Sequence, residues 1–153
     1  MIRKFELSQA ARNGREFVHP VRVYYEDTDS AGIVYYANYL RFAERARTEM
    51  TRALGIEQGK LGQELGLYFV VRHCHADFLA PARLDDVLEI ATRITSLRGA
   101  SMEMVQTVRR QARDLVRLQV RLACINGAGK PVRIPEDVYG VFQAVIDASK
   151  RQD

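Results

Sequence analysis

Two carboxylates, Asp27 and Asp29, stand in the run YYEDTDSAGIVYYANYLRFAERARTEMTR that extends from Tyr24 to Arg52, with Gly32 just beyond the second. An amphipathic helix follows, so Asp29 falls in a tight loop a few residues upstream of a helix N-terminus. Such an end presents unpartnered backbone N–H donors and partial positive charge. A carboxylate next to fixed donors meets the two needs of acyl transfer: one group attacks or activates water, the other stabilises the oxyanion. An isolated loop aspartate more often serves the turn itself through local hydrogen bonds, and Asp27 reads that way. Gly32 is expected to supply a backbone conformation that side chains resist, and to let a substrate approach closely.

The elements that must position these residues follow from periodicity. His19 to Tyr25 is a β-branched and aromatic run that predicts a first strand, and Glu26 to Tyr36 a loop. A helix is expected from about Asn38 to Leu54. Tyr39, Phe42, Ala43, Ala46, Met50, Ala53 and Leu54 form its apolar stripe, with Asn38 as N-cap and Gly55 as the stop. Glu44, Glu49, Arg45, Arg47 and Arg52 read as a solvated or intersubunit face; Glu44, near the expected pocket, could instead orient water. A short helix near Gln58 to Leu65 precedes a switch to period two. Strands are expected over Tyr68 to Leu79, Asp86 to Leu97 and Ser101 to Arg110. A turn at Arg113–Asp114 leads into a fourth, where Val116, Leu118, Val120, Leu122 and Cys124 alternate with polar residues. Pro135 opens a short C-terminal helix with a stripe of Val138, Val141, Phe142, Val145 and Ile146. The order predicts an α+β fold in which a curved antiparallel sheet wraps one long helix and leaves edges that favour oligomerisation.

With 153 residues, 47% hydrophobic and 27% charged, the chain fits one domain over 19–153 preceded by an N-terminal arm over 1–18. The net charge of +4 argues weakly for an anionic ligand. Nucleic-acid binding has little support, because the aromatics gather at the carboxylate motif rather than among basic residues. No apolar run is long enough to span a membrane, and the polar N-terminus lacks a signal-peptide core. Cys74 and Cys124 lie in apolar strand-like runs and are expected as buried free thiols in a cytoplasmic, reducing setting. His73, His75 and Asp77 have a spacing compatible with metal ligation, but nothing completes a set, so a structural or surface role is expected. Arg98, Lys130 and Arg133 are loop cations suited to phosphate contacts.

The segment DTDSAGIVYYANYLRFAERARTEM, with VRVYYE before it and FLAPARLDDVLEI and LRGAS after it, resembles the 4-hydroxybenzoyl-CoA thioesterase family. The resemblance is strongest to its branch of small acyl-CoA thioesterases associated with the Tol–Pal system, and covers His19 to the C-terminus. It implies the hotdog fold, acyl-CoA or an acyl carrier protein thioester as substrate, no metal or cofactor, and a homodimer or homotetramer with its active site at the dimer interface. It makes Asp29 the catalytic carboxylate, as nucleophile or as general base, and the Tyr36 backbone N–H the oxyanion donor. A thiolate leaves readily, so no triad is required. Tol–Pal-associated members typically carry His at the position of Tyr36, where the hydroxybenzoyl type has an aromatic residue. A non-catalytic acyl-binding or envelope-assembly protein of the same fold is the alternative.

Overall fold

The computed structural model describes residues 16–151. Five strands, β1 (Phe17–Arg22), β2 (Tyr68–Phe78), β3 (Val87–Leu97), β4 (Ser101–Arg110) and β5 (Arg113–Ile125), form one sheet in the order β1-β3-β4-β5-β2. Every pairing is antiparallel. Helix α1 (Tyr36–Ala53) lies on one face; a short helix α2 (Gln58–Lys60), continued by a π-turn over Leu61–Leu65, and α3 (Glu136–Lys150) complete the chain. This is the expected α+β hotdog fold.

Strand register explains how the sheet holds α1. Rows of side chains run across it on the helix side: Ile90–Val108–Val116–Phe78, then Thr92–Gln106–Leu118–Ala76, then Ile94–Met104–Val120–Cys74. Against them α1 buries Tyr39, Phe42, Ala43, Ala46 and Met50, the stripe read from the 3.6-residue period. Phe42 and Phe142 are fully buried.

Several boundaries differ from expectation. Strand β1 stops at Arg22, because the chain turns away in a 3-10 turn over Tyr25–Asp27. Its start, Phe17, lies inside the expected arm; the rest of that arm, 1–15, lies outside the described residues. Helix α1 begins at Tyr36, and Asn38 does not cap it: its side-chain amide donates instead to the Asp27 carbonyl at 2.8 Å. Gly55 does end the helix, at φ +80°. The β4–β5 turn is Gln111–Ala112, both left-handed at φ +49° and +67°, so Arg113 already belongs to β5. The C-terminal helix has 15 residues and is not short; it buries Val138, Phe142 and Ile146. Cys74 is exposed, contrary to expectation, because β2 is a sheet edge that no other described element covers, whereas Cys124 is buried.

Candidate active site

A network of local bonds fixes the Asp29 loop. The Tyr24 N–H donates to Asp27 Oδ2 at 2.8 Å, and the Asp27 carbonyl accepts the Tyr35 N–H at 2.9 Å. Asp27 thus shapes the loop from both its side chain and its main chain. Residues Thr28 and Val34 bridge across the loop, inside which the Asp29 N–H donates to the Ile33 carbonyl and the Gly32 N–H to the Asp29 carbonyl. Gly32 sits at φ +76°, a left-handed conformation costly for a residue with a Cβ. The loop is anchored outward too: Ile33 bridges Arg83, and the Val34 N–H donates to the Ala82 carbonyl at 2.9 Å.

Asp29 is exposed in the single chain. Its Oδ1 accepts the Ala31 N–H at 2.8 Å, the local turn bond typical of aspartate. Among the described residues no hydrogen-bond donor reaches Oδ2. Two residues past Val34, α1 opens with no side-chain cap, and among the described residues the Tyr36 and Ala37 amides meet no acceptor. Carboxylate and free donors therefore stand at the same corner, as an acyl-transfer site requires.

Aromatic rings frame that corner. Tyr36 packs on Tyr35 with centroids 5.0 Å apart and edge-on to Phe78 at 5.9 Å. Tyr24, Tyr25, Tyr35 and Tyr36 are all exposed. Beneath them Tyr39 is buried and its hydroxyl accepts the Ala82 N–H at 2.9 Å; burial pushes its pKa up, against the lowering effect of that bond. Asp86, at the same end, feels burial that disfavours its charge, but the Arg83 N–H and the Arg110 guanidinium at 2.7 Å outweigh it and hold its carboxyl below the ordinary range.

The remaining expected site residues lie elsewhere. Arg98 is in the β3–β4 turn, and Lys130 and Arg133 follow β5; the Ile134 N–H donating to the Gly99 carbonyl ties these segments together. They gather at the Leu97 end of β3, whereas the Asp29 loop lies at the Val87 end, about 33 Å away along the strand. One chain does not bring the three cations to Asp29. His73 and His75 are exposed; His75 lies 3.5 Å from Asp77. Among the described residues no three metal-ligating side chains cluster.

A second polar constellation escaped the sequence reading. Arg47, expected on a solvated face, is buried and donates to Gln106 Oε1 at 2.9 Å while pairing with Glu44. Gln106 Nε2 in turn donates to the Ala43 carbonyl and to Thr92 Oγ1, each at 2.9 Å. The available signal was Gln106 itself, a polar residue at a core position of the Met102, Met104, Val108 alternation.

The sheet wrapped on one helix places the chain among hotdog-fold proteins. It belongs to the thioesterase-like superfamily, whose model matches residues 23–142, and is a thioester hydrolase. It is 43% identical over 127 residues to the acyl-CoA thioesterase YbgC of Haemophilus influenzae, covering 82% of this chain and 93% of that one. Identity to the acyl-CoA thioester hydrolase YbgC of Escherichia coli is 44% over 129 residues, 83% and 96% of the two chains. A probable thioesterase from Bartonella henselae superposes with a TM-score of 0.76 at 41% identity, covering 78% of this chain and 99% of that one. A mutant 4-hydroxybenzoyl-CoA thioesterase, an aspartate replaced by asparagine, complexed with 4-hydroxybenzoyl-CoA, superposes at 0.78 with 25% identity, covering 83% and 98%.

Proposed function

We propose that the protein hydrolyses acyl-CoA thioesters to the free acid and coenzyme A, with Asp29 as the reactive carboxylate and the Tyr36 N–H as oxyanion donor. The observation that carries this is the closeness in the fold of an Asp29 oxygen that no donor reaches, among the described residues, and amides at the start of α1 that meet no acceptor among them. Asp29 either attacks the carbonyl carbon, giving an anhydride that water opens, or takes a proton from water as it attacks. In both routes the C–S bond breaks, the thiolate leaves and is protonated, and water supplies the acid's second oxygen. Gly32 keeps the loop free of side-chain bulk on the approach.

The reading needs a second protomer. Asp29 is exposed in one chain, and Arg98, Lys130 and Arg133 are too distant to meet coenzyme A phosphates in the same chain. A homodimer in which the partner's cations approach Asp29 satisfies both, and a homotetramer of two such dimers is the larger assembly proposed. An acyl carrier protein is the alternative thiol carrier. The two unbridged cysteines favour a reducing, cytoplasmic compartment. Association with the Tol–Pal system rests on the motif resemblance alone.

Thiol release from a panel of acyl-CoAs, ranked by kcat/KM, tests the proposal. Turnover at one or more chain lengths is expected. Tight binding with no thiol released would favour a non-catalytic acyl-binding protein.

A further inference from the structure

Ala82, in the connection between β2 and β3, is fully buried, and both its N–H and its carbonyl are taken. The N–H donates to the Tyr39 hydroxyl at 2.9 Å, and the carbonyl accepts the Val34 N–H at 2.9 Å. Among the described residues the Tyr39 hydroxyl is the one acceptor that reaches this N–H. Tyr39 is 3% exposed and lies three residues past Tyr36, on the same face of α1. Val34 stands two residues before Tyr36. Tyr39, Ala82 and Val34 therefore close a circuit between the helix turn that offers the free amides and the far limb of the Asp29 loop.

The near limb is held from the same turn. The Asn38 side-chain amide donates to the Asp27 carbonyl at 2.8 Å, and that carbonyl also accepts the Tyr35 N–H at 2.9 Å. Two adjacent side chains of α1 thus grip the loop on both sides of Asp29, at Asp27 directly and at Val34 through Ala82.

The post at Ala82 is braced in its turn. Asp86 Oδ2 accepts the Arg83 N–H at 2.8 Å and the Arg110 guanidinium at 2.7 Å, which ties the connection to the end of β4. Ile33 bridges Arg83 beside it. Held from the sheet as well as from the helix, Ala82 is a fixed point against which the loop is set.

We propose that Tyr39 and Asn38 are positioning residues, which set the distance between the Asp29 carboxylate and the amides at the start of α1. The proposal rests on the reading of Asp29 and the Tyr36 N–H as the hydrolytic pair. Neither side chain touches substrate: the Tyr39 hydroxyl is buried, and the Asn38 amide is occupied by the Asp27 carbonyl. Reacting atoms must stand about 3–3.5 Å apart, and a misplacement of about 1 Å costs on the order of 10²-fold. Tyr39→Phe keeps the ring and its packing on Phe42 and Phe78 but deletes the acceptor. The buried Ala82 N–H is then unpaired. Only a shift of Ala82 can satisfy it, and the Val34 bond passes that shift to the loop.

The test measures thiol release by Tyr39→Phe and Asn38→Leu, each in the full chain, alone and combined with Asp29→Asn. The substrate is butyryl-CoA or benzoyl-CoA, whichever the wild-type chain hydrolyses faster. Each single variant is expected to lose roughly 10–100-fold in kcat with KM held within about twofold, because no substrate contact is removed. Combined with Asp29→Asn, each is expected to change the residual turnover by less than about twofold, since no carboxylate is left to place. That residual rate is read with enzyme in excess of substrate. A merely structural role gives a different pattern: the urea midpoint falls while folded enzyme keeps its kcat, or the same factor is lost with and without Asp29→Asn. Either result from folded Tyr39→Phe overturns the proposal. If Tyr39→Phe does not fold, Asn38→Leu, at a half-buried position, decides by the same two readings. Wild-type turnover by Asp29→Asn alone would instead remove the hydrolytic reading on which the proposal stands.

Discussion

Replacing Gln106 with Leu tests whether the buried amide pins α1 to the sheet. Gln106 is fully buried and makes three bonds of 2.9 Å, one accepted from Arg47 and two donated to Ala43 and Thr92. A net neutral hydrogen bond contributes about 1 kcal/mol, and a buried group left unpaired costs about 1–3 kcal/mol. Leu removes all three bonds and leaves the interior side of Arg47 with only Glu44, which faces out. The sum is about 3–5 kcal/mol, or a fall in melting temperature of roughly 10–15 °C for a domain of this size. Urea unfolding followed by circular dichroism at fixed protomer concentration reads it, with an unchanged m-value confirming an unchanged unfolding unit. Replacing Arg47 with Met in the same chain should recover about 2 kcal/mol of the loss, since removing both partners leaves no orphaned charge. A Gln106→Leu cost under about 1 kcal/mol, or strict additivity with Arg47→Met, would refute the reasoning.

Two further outcomes are expected. Gly32→Ala meets no clash among the described residues, none of which comes within 4 Å of an added Cβ, but φ +76° penalises it; a loss of about 1–2 kcal/mol in urea unfolding and reduced turnover should follow, with Gly32→Asn milder in both. Asp86 has its carboxyl held low in the folded state, so its ion pair with Arg110 contributes stability above the ordinary carboxylate range, near pH 4, and loses it as pH falls through the lower folded value. Asp86→Asn should flatten the acid limb of the stability–pH curve and leave its alkaline limb unchanged; parallel curves would contradict this.

How much was legible in the sequence depended on how local the cause was. The alternation from Val116 to Cys124 and the stripe from Tyr39 to Leu54 announced β5 and α1, because burial on one face writes a period into neighbouring residues. Gly55 and Gly32 marked left-handed positions correctly. The Gln111–Ala112 turn carried no glycine or asparagine and went unseen, so the turn was set two residues late. Asn38 looked like a cap by residue type, yet the loop carbonyl of Asp27 took its amide. Arg47 fell among charged residues, and its partner Gln106 is 59 positions away, a pairing that no local pattern encodes. Cys74 sits in an apolar run, as buried strands do, but its strand ends up at the edge. The Asp29 motif was legible as chemistry; the distance of Arg98, Lys130 and Arg133 from it was not, because only strand register fixes which end of the sheet a turn occupies.

The most direct test of the proposed hydrolysis is steady-state thiol release from the preferred acyl-CoA by Asp29→Asn, with fold and assembly state matched to wild type. The proposed mechanism predicts a fall in kcat of at least about 10²-fold. A folded, correctly assembled Asp29→Asn enzyme that turns over at the wild-type rate would contradict it.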